Sequence, residues 1–366
     1  MPKALMKLDS NQSIFRILYF IACILVAAIV YTSFLQGFTI NERTTLGKMV
    51  YATAHKPFVC RTLVPTTVRI TTACIPPEIQ NNLITFTNQI LEHYPGINKL
   101  NWFQQIENEI YYDESIVALI VLYVSLVGFT YALRYFIIGI LSLPTWFSSI
   151  FSLIMTFGLI PFFSDGYLYD LPGLCLFTFA LGLMVRNRWY LYLLVYFFAC
   201  LNKETTLLLT LIFIPYYFNR TKMNRDLYTK LLGAQLGMFI LVKGMLHLLF
   251  WHNQGSPVEF NWQVNAIRVE LQFEREPIIT ITSLAIIGFL VFYRWQEKPV
   301  FFKMSLWIII PLFWLYLFFG NYGEWRVFYE VYPIFVAGAA HTIAMLCRIN
   351  PESTSDNLDY STINVT

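Results

Sequence analysis

The sequence predicts an all-α, polytopic helical membrane protein with about ten transmembrane helices and a long first outer loop containing interfacial helices. Three observations lead there. Hydrophobic residues make up 57% of the 366-residue chain and charged residues only 13%, whereas a soluble domain is about a quarter charged. Apolar runs long enough to span a bilayer recur from residue 14 to residue 346. Lys and Arg bunch in the short segments between these runs, and threading the chain places every such segment on one side. The weak alternation of a transmembrane barrel is absent. Mean hydropathy is +0.55. The net charge of +3 gives no reason to expect a nucleic-acid partner; the partner that composition does imply is the lipid bilayer.

The expected crossings are 14–36, 115–136, 145–163, 170–185, 189–201, 205–218, 231–251, 278–295, 304–320 and 327–346. Residues 1–346 form one integral membrane domain, with 37–114 as the long outer loop and 347–366 as a disordered cytoplasmic tail. The first run, Ile14 to Phe34, lacks a small-residue cleavage site and reads as a retained anchor. Lys3, Lys7 and Arg16 place the N-terminus in the cytoplasm. Arg134 marks the cytoplasmic end of the second crossing, with Leu143-Pro144 as the turn. Arg186 and Arg188, then Arg220, Lys222, Arg225 and Lys230, then Arg294, Lys298 and Lys303, and finally Arg348 mark the later cytoplasmic ends. The Asn219-Arg220-Thr221 sequon therefore faces the cytoplasm and is not expected to carry sugar.

Residues 189–218 are too long for one span and too short for two full ones. A single helix would split two basic loops between opposite sides, so a short hairpin is expected, its tip Asn202-Lys203-Glu204 lying at membrane depth. In the first outer loop, Phe58, Val59, Leu63, Val64, Val68 and Ile70 intermix with Arg61, Thr66, Thr67 and Arg69, which predicts a helix lying on the membrane. A second such stretch runs from Ile79 to Leu91. Cys60 and Cys74 share this loop and could be bridged if it faces an oxidising compartment. Cys23, Cys175, Cys200 and Cys347 lie in or beside apolar runs and read as packing residues.

Three polar clusters interrupt the apolar chain on the outer side: Ser164-Asp165-Gly166-Tyr167, Asn202-Lys203-Glu204-Thr205 and Gly323-Glu324-Trp325-Arg326. Charge at the ends of membrane helices is costly without a partner or a use. Lys203 and Glu204, neighbours on a turn, read either as an ion pair closing the hairpin or as a cation for phosphate beside a carboxylate for a polar ligand. Asp170 reads as a helix cap ahead of Leu171-Pro172, while Asp165 is free to hold hydroxyls or a metal. Arg326 and Glu330, four apart, are expected to share a helix face; Arg326 suits a phosphate because guanidinium binds it bidentately. Lys243 and His247 lie a turn apart, with Lys243 either snorkelling or facing the same cavity. Glu42, directly after the first crossing, is either a solvated loop charge or a general base at the lip of the site; Glu107, Glu109, Asp113 and Glu114 are open to the same two readings, with Glu107, Glu109 and Asp113 as rivals for the base. The histidines form no metal-ligand pattern, and HExxH, CxxC and Gly-rich phosphate loops are absent. No cofactor is assigned; a divalent cation stays open.

This layout resembles the GT-C superfamily of polytopic membrane glycosyltransferases, which use polyprenyl-phosphate-linked sugars. Cys60-Arg61-Thr62-Leu63-Val64-Pro65, Leu201-Asn202-Lys203-Glu204-Thr205, and Glu324-Trp325-Arg326 leading to Tyr332-Pro333 also resemble bacterial membrane proteins of that general type. The likeness in layout covers most of residues 1–346. It implies a transferase of the cell (inner) membrane that moves a sugar from a polyprenyl-phosphate donor to an acceptor hydroxyl at the outer face. It implies catalytic roles for Glu42, Glu204 and Asp165, and substrate binding by Arg61, Lys203, Arg326, Glu324 and Lys243. The family more often has Asp, or an Asp-Glu pair, at the position of Glu42. A transporter or lipid flippase explains the broken helices equally well but predicts internal repeats, which the sequence lacks. A non-catalytic envelope-assembly subunit is the third reading.

Overall fold

The computed structural model describes residues 2–39, 41–94, 96, 100–102, 112–163, 166–218, 224–256, 258, 260–263, 265, 267, 277–320 and 325–350. Regular structure among the described residues is helical, with one isolated backbone bridge between Phe38 and Gly166. The first helix is α1 (Pro2–Gln36). The long loop then holds α2 (Leu46–Val50), α3 (Leu63–Cys74) and α4 (Pro77–His93). The body continues through α5 (Tyr112–Leu141), α6 (Thr145–Phe157), α7 (Asp170–Val185), α8 (Trp189–Asn202), α9 (Leu207–Phe218) and α10 (Arg225–Leu249). It closes with α11 (Pro277–Phe292), α12 (Val300–Leu306), α13 (Ile309–Phe319) and α14 (Tyr332–Leu346). Five stretches are long and apolar enough to cross a membrane: Ser13–Gln36, Asp113–Leu141, Thr145–Phe162, Arg225–Leu249 and Val300–Phe319. The apolar helices α7, α8, α9, α11 and α14 are shorter.

Helix boundaries depart from the apolar runs where backbone donors are missing. Pro161, Pro311 and Pro333 have no N–H to give to the carbonyl four residues back. α6 accordingly ends at Phe157, and a 3-10 turn follows over Ile160–Phe162. The expected 304–320 span is broken into α12 and α13 across Trp307-Ile308. The last helix starts at Tyr332 rather than 327, with Pro333 in its first turn, where the missing donor is harmless. Arg does not break a helix, so α5 continues past Arg134 to Leu141 and stops at Ser142, whose φ of 50° leaves helical backbone. Asn224 caps α10 by accepting from the Asp226 amide at 3.1 Å, which starts that helix before residue 231. The 189–218 hairpin is present as α8, a 3-10 turn over Glu204–Thr206, and α9.

α5 is the central element, packing along α7 and touching α1, α3, α6 and α14. Hydroxyls tie the first three long helices together in an otherwise apolar interior: Tyr19 Oη lies 2.9 Å from Ser152 Oγ, and Thr130 Oγ1 lies 3.1 Å from Thr156 Oγ1. α8 and α10 are joined by Tyr192 Oη donating to Gln235 Oε1 at 2.9 Å. The buried Lys298 ammonium donates to the Gly338 carbonyl and to Thr342 Oγ1, both at 2.7 Å, and so pins the α11–α12 connection onto α14.

α3 turns Val64, Pro65, Val68 and Thr72 inward and leaves Ile70 exposed. Its inward face packs on α5 and α8, while the face with Ile70 stays exposed. Cys60 and Cys74 are both free thiols. The 12-residue α3 stands between them; a helix of that length is ~18 Å long, and a disulfide needs Cα atoms within ~7 Å. The loop is also anchored at residues 251–256, where Asn253 Nδ2 donates to the carbonyls of Ala52 and Ala54.

Gly338 gives a direct test of the packing. A Cβ there would lie 2.6 Å from Phe302 ring atoms, and that ring is buried. We expect Gly338→Ala to lower stability by about 1–3 kcal/mol, seen as a lower thermal midpoint in detergent. An unchanged midpoint would contradict the α12–α14 contact.

Candidate functional site: a buried ion network at one end of the bundle

Three breaks in the helices meet at the end of the bundle opposite Arg186 and Lys298. They are the start of α7, the turn between α8 and α9, and the turn that precedes α14. Asp170 opens α7, and its Oδ2 accepts from the Tyr167 amide at 2.9 Å. That bond reaches back to the turn before α7, so the capping of α7 expected of Asp170 is not made; the side chain is wholly buried and meets two cations. Lys203 Nζ lies 3.8 Å from Asp170 Oδ1, and Arg326 Nη1 lies 3.5 Å from Asp170 Oδ2. Lys203 Nζ also contacts Glu330 Oε1 at 3.1 Å, and Thr205 Oγ1 donates to the same oxygen at 2.5 Å. Asp170, Glu330, Arg326 and Lys203 are 0%, 4%, 7% and 9% exposed. Beside them lies a cavity of about 10 Å³ lined by Asn202, Lys203, Thr205 and Glu330, room for roughly one water.

A second, more open group adjoins this one. Arg61 Nε contacts Glu204 Oε2 at 3.0 Å, and Lys243 Nζ contacts Glu204 Oε1 at 3.2 Å. The Glu204 side chain is 40% exposed. Burial opposes the charge on Arg61, but Glu204 outweighs it and holds the guanidinium above its usual range. The two groups are joined through aromatic rings. Arg61 sits over the Tyr169 ring at 4.1 Å, and the Tyr169 hydroxyl accepts from Arg326 Nη1 at 3.1 Å. Arg326 in turn sits over Tyr167 at 4.0 Å. Phe58, Tyr167 and Tyr169 stack in sequence, with centroids 5.6 Å apart at each step.

Lys203 and Glu204 do not pair with each other. Lys203 has extended backbone (φ −153°, ψ 152°), which sends neighbouring side chains to opposite sides. Lys203 goes inward to Glu330 and Asp170; Glu204 goes outward to Arg61 and Lys243. Arg326 and Glu330 are not on one α-helical face either. They occupy a 3-10 segment, Trp325–Phe328, and the turn after it, and they join through Asp170 and Lys203. Lys243 does face the cluster, while His247 packs edge-on against Trp251.

Of the expected site residues, Arg61, Lys203, Glu204, Lys243 and Arg326 come together. Glu42 is exposed on the loop after α1; its backbone carbonyl accepts from Lys48 Nζ at 2.5 Å. Its carboxylate has no bond to the cluster among the described residues. Glu114 accepts from Tyr51 Oη at 2.6 Å. Asp165, Glu324, Glu107 and Glu109 lie outside the described residues, although Gly166 bonds through its backbone to Gly37 and Thr39, next to the end of α1. Asp170 and Glu330 belong to the site and were read from sequence as a cap and a helix-face partner. Among the described residues no group of three His, Cys, Asp or Glu could hold a metal ion. No family model, curated protein or solved structure matches the chain.

The inner pairs make a stability prediction. Removing one partner of a buried pair costs ~3–5 kcal/mol, while replacing both by apolar groups costs far less. Glu330→Leu and Lys203→Met should each destabilise strongly, and the double variant should recover part of the loss. Additive losses in detergent unfolding would show that the two side chains are not coupled.

Proposed function

We propose that this chain is a membrane glycosyltransferase that moves a sugar from a polyprenyl-phosphate donor to an acceptor hydroxyl. The observation that carries the reading is the half-exposed Glu204, whose two oxygens are taken by Arg61 and Lys243 at the edge of a deeper ion network. Ionised groups at such depth are functional candidates by default, since apolar packing would be at least as stable. On this reading the ten helical passes alternate, the basic loops and both termini are cytoplasmic, and the ion network faces outward. α8 is 14 residues long, ~21 Å against a ~30 Å hydrocarbon layer, so its tip lies below the outer surface, within reach of a lipid-borne phosphate.

The chemistry follows from the pairing. A donor phosphate is an anion that can take Glu204's place between Arg61 and Lys243. Relieved of both cations, the carboxylate gains basicity and can accept the proton of an acceptor hydroxyl. That oxygen attacks the anomeric carbon as the bond from the sugar to the phosphate oxygen breaks. The departing polyprenyl phosphate carries the electron pair, stabilised by Arg61 and Lys243. Lys203, Asp170, Glu330 and Arg326 keep the frame rigid. The half-length hairpin also suits a transporter; net movement of labelled lipid-phosphate across proteoliposomes without sugar transfer would favour that reading.

Two variant sets test the transferase. In purified folded protein, Arg61→Gln and Lys243→Gln should weaken polyprenyl-phosphate binding by about tenfold or more. Glu204→Gln should bind at least as well as wild type yet lose transfer. Glu42→Gln tests the base that the family likeness implies, and loss of transfer there with Glu204→Gln active would move the base to Glu42. Failure of stable wild-type protein to bind the lipid phosphate would overturn the proposal.

A further inference from the structure

At the opposite end of the bundle, a groove of about 480 Å³ opens between α5, α7 and the start of α6, a volume typical of ligand clefts, ~300–1,000 Å³. On α5 it is lined by Tyr131, Arg134, Tyr135 and Ile138, which recur at three- and four-residue spacing on one helix face. Cys175 and Phe179 of α7 form the facing wall. The lining runs from Gly128 to Ile138 along α5, ~15 Å of helix, which matches the hydrocarbon thickness of one leaflet.

Its walls are mostly aromatic and aliphatic, with Thr145, Cys175 and the single charged residue Arg134. Arg134 sits over the Tyr19 ring at 4.7 Å, and its Nε is buried with no hydrogen bond. Among the described residues it has no carboxylate partner. A second guanidinium, Arg186, stacks on the groove residue Tyr135 at 3.7 Å and donates to the Tyr135 carbonyl at 2.6 Å. A groove the length of one leaflet with a cation lacking a counter-ion at its basic-loop end matches a single amphiphile: an apolar chain below and an anionic head above.

We propose that this groove is a binding site for one anionic phospholipid of the leaflet on the basic-loop side, an acyl chain lying between α5 and α7 and the phosphate on Arg134. The site is separate from the ion network and does not depend on the transferase reading.

The test is native mass spectrometry of the full chain released from detergent, titrated with phosphatidylglycerol or phosphatidylcholine of identical chains. Wild type should retain one phosphatidylglycerol, bound about tenfold more tightly than phosphatidylcholine. Arg134→Gln should reduce that preference to near unity while leaving the thermal midpoint in lipid-free detergent unchanged. A second measurement needs no variant. Phosphatidylglycerol with a photoactivatable acyl chain should cross-link within 128–138 and 175–179. Equal affinity for the two headgroups, cross-links confined to other helices, or a dimer of this chain that excludes lipid would each overturn the proposal.

Discussion

An ammonium group cannot be left alone in an apolar interior, and Lys203 is the residue on which the ion-network end of this protein is organised. Its Nζ needs carboxylates, and they come from the first residue of α7 and from the turn before α14. Satisfying that one charge therefore fixes three chain breaks against one another. The same constraint passes to Asp170, which without Arg326 and Lys203 would itself be a buried, uncompensated anion. Helix–helix contacts in this chain are largely apolar and non-directional. The ion network supplies the direction, because few arrangements bring every partner within reach at once.

The two ends of the bundle settle their cations differently. At the end with Lys203, cations meet carboxylates and tyrosine faces. At the other end, Arg134 and Arg186 meet aromatic rings and Lys298 meets a carbonyl and a hydroxyl. Carbonyls and rings attract a cation without neutralising it. Arg294 at that end does meet a carboxylate, Glu297, at 3.3 Å on the surface, whereas the buried carboxylates Asp170 and Glu330 lie at the opposite end.

The fold class was legible because long apolar runs and bunched basic residues survive any detail of packing. The α8–α9 hairpin was legible too, since charge on both flanks left no other threading. The helix breaks were written in Pro161, Pro311 and Pro333, but a reading based on hydropathy weighs side chains and passes over missing backbone donors. The pairings were hidden for another reason. Lys203 and Glu330 are 127 positions apart, and nothing along the chain announces their meeting; adjacency suggested Lys203 with Glu204, and the extended backbone at Lys203 undoes that. Asp170 was hidden because capping of the next helix was a sufficient local explanation; its carboxylate instead accepts from the Tyr167 amide before that helix and serves the network. Arg134 shares one face of α5 with Tyr131, Tyr135 and Ile138, and that face becomes a groove only with α7 beside it.

Exposure within the ion network then separates a frame from a working part. Asp170, Lys203, Glu330 and Arg326 are almost fully enclosed, so exchanging one of their partners for a ligand would require opening the interior. Glu204 is attached to the same structure through Arg61 and Tyr169 yet remains 40% exposed, with Arg61 and Lys243 at 12% and 15%, so the carboxylate is the part of the network that meets the outside. A carboxylate held between two cations at a surface is chemically quiet for as long as nothing competes for them. An incoming anion that wins those cations supplies the ligand and frees the base in one event. On the proposed reading, that couples arrival of the donor to activation of the acceptor, and a carboxylate with no cations to lose, such as one on a solvated loop, could not provide the coupling.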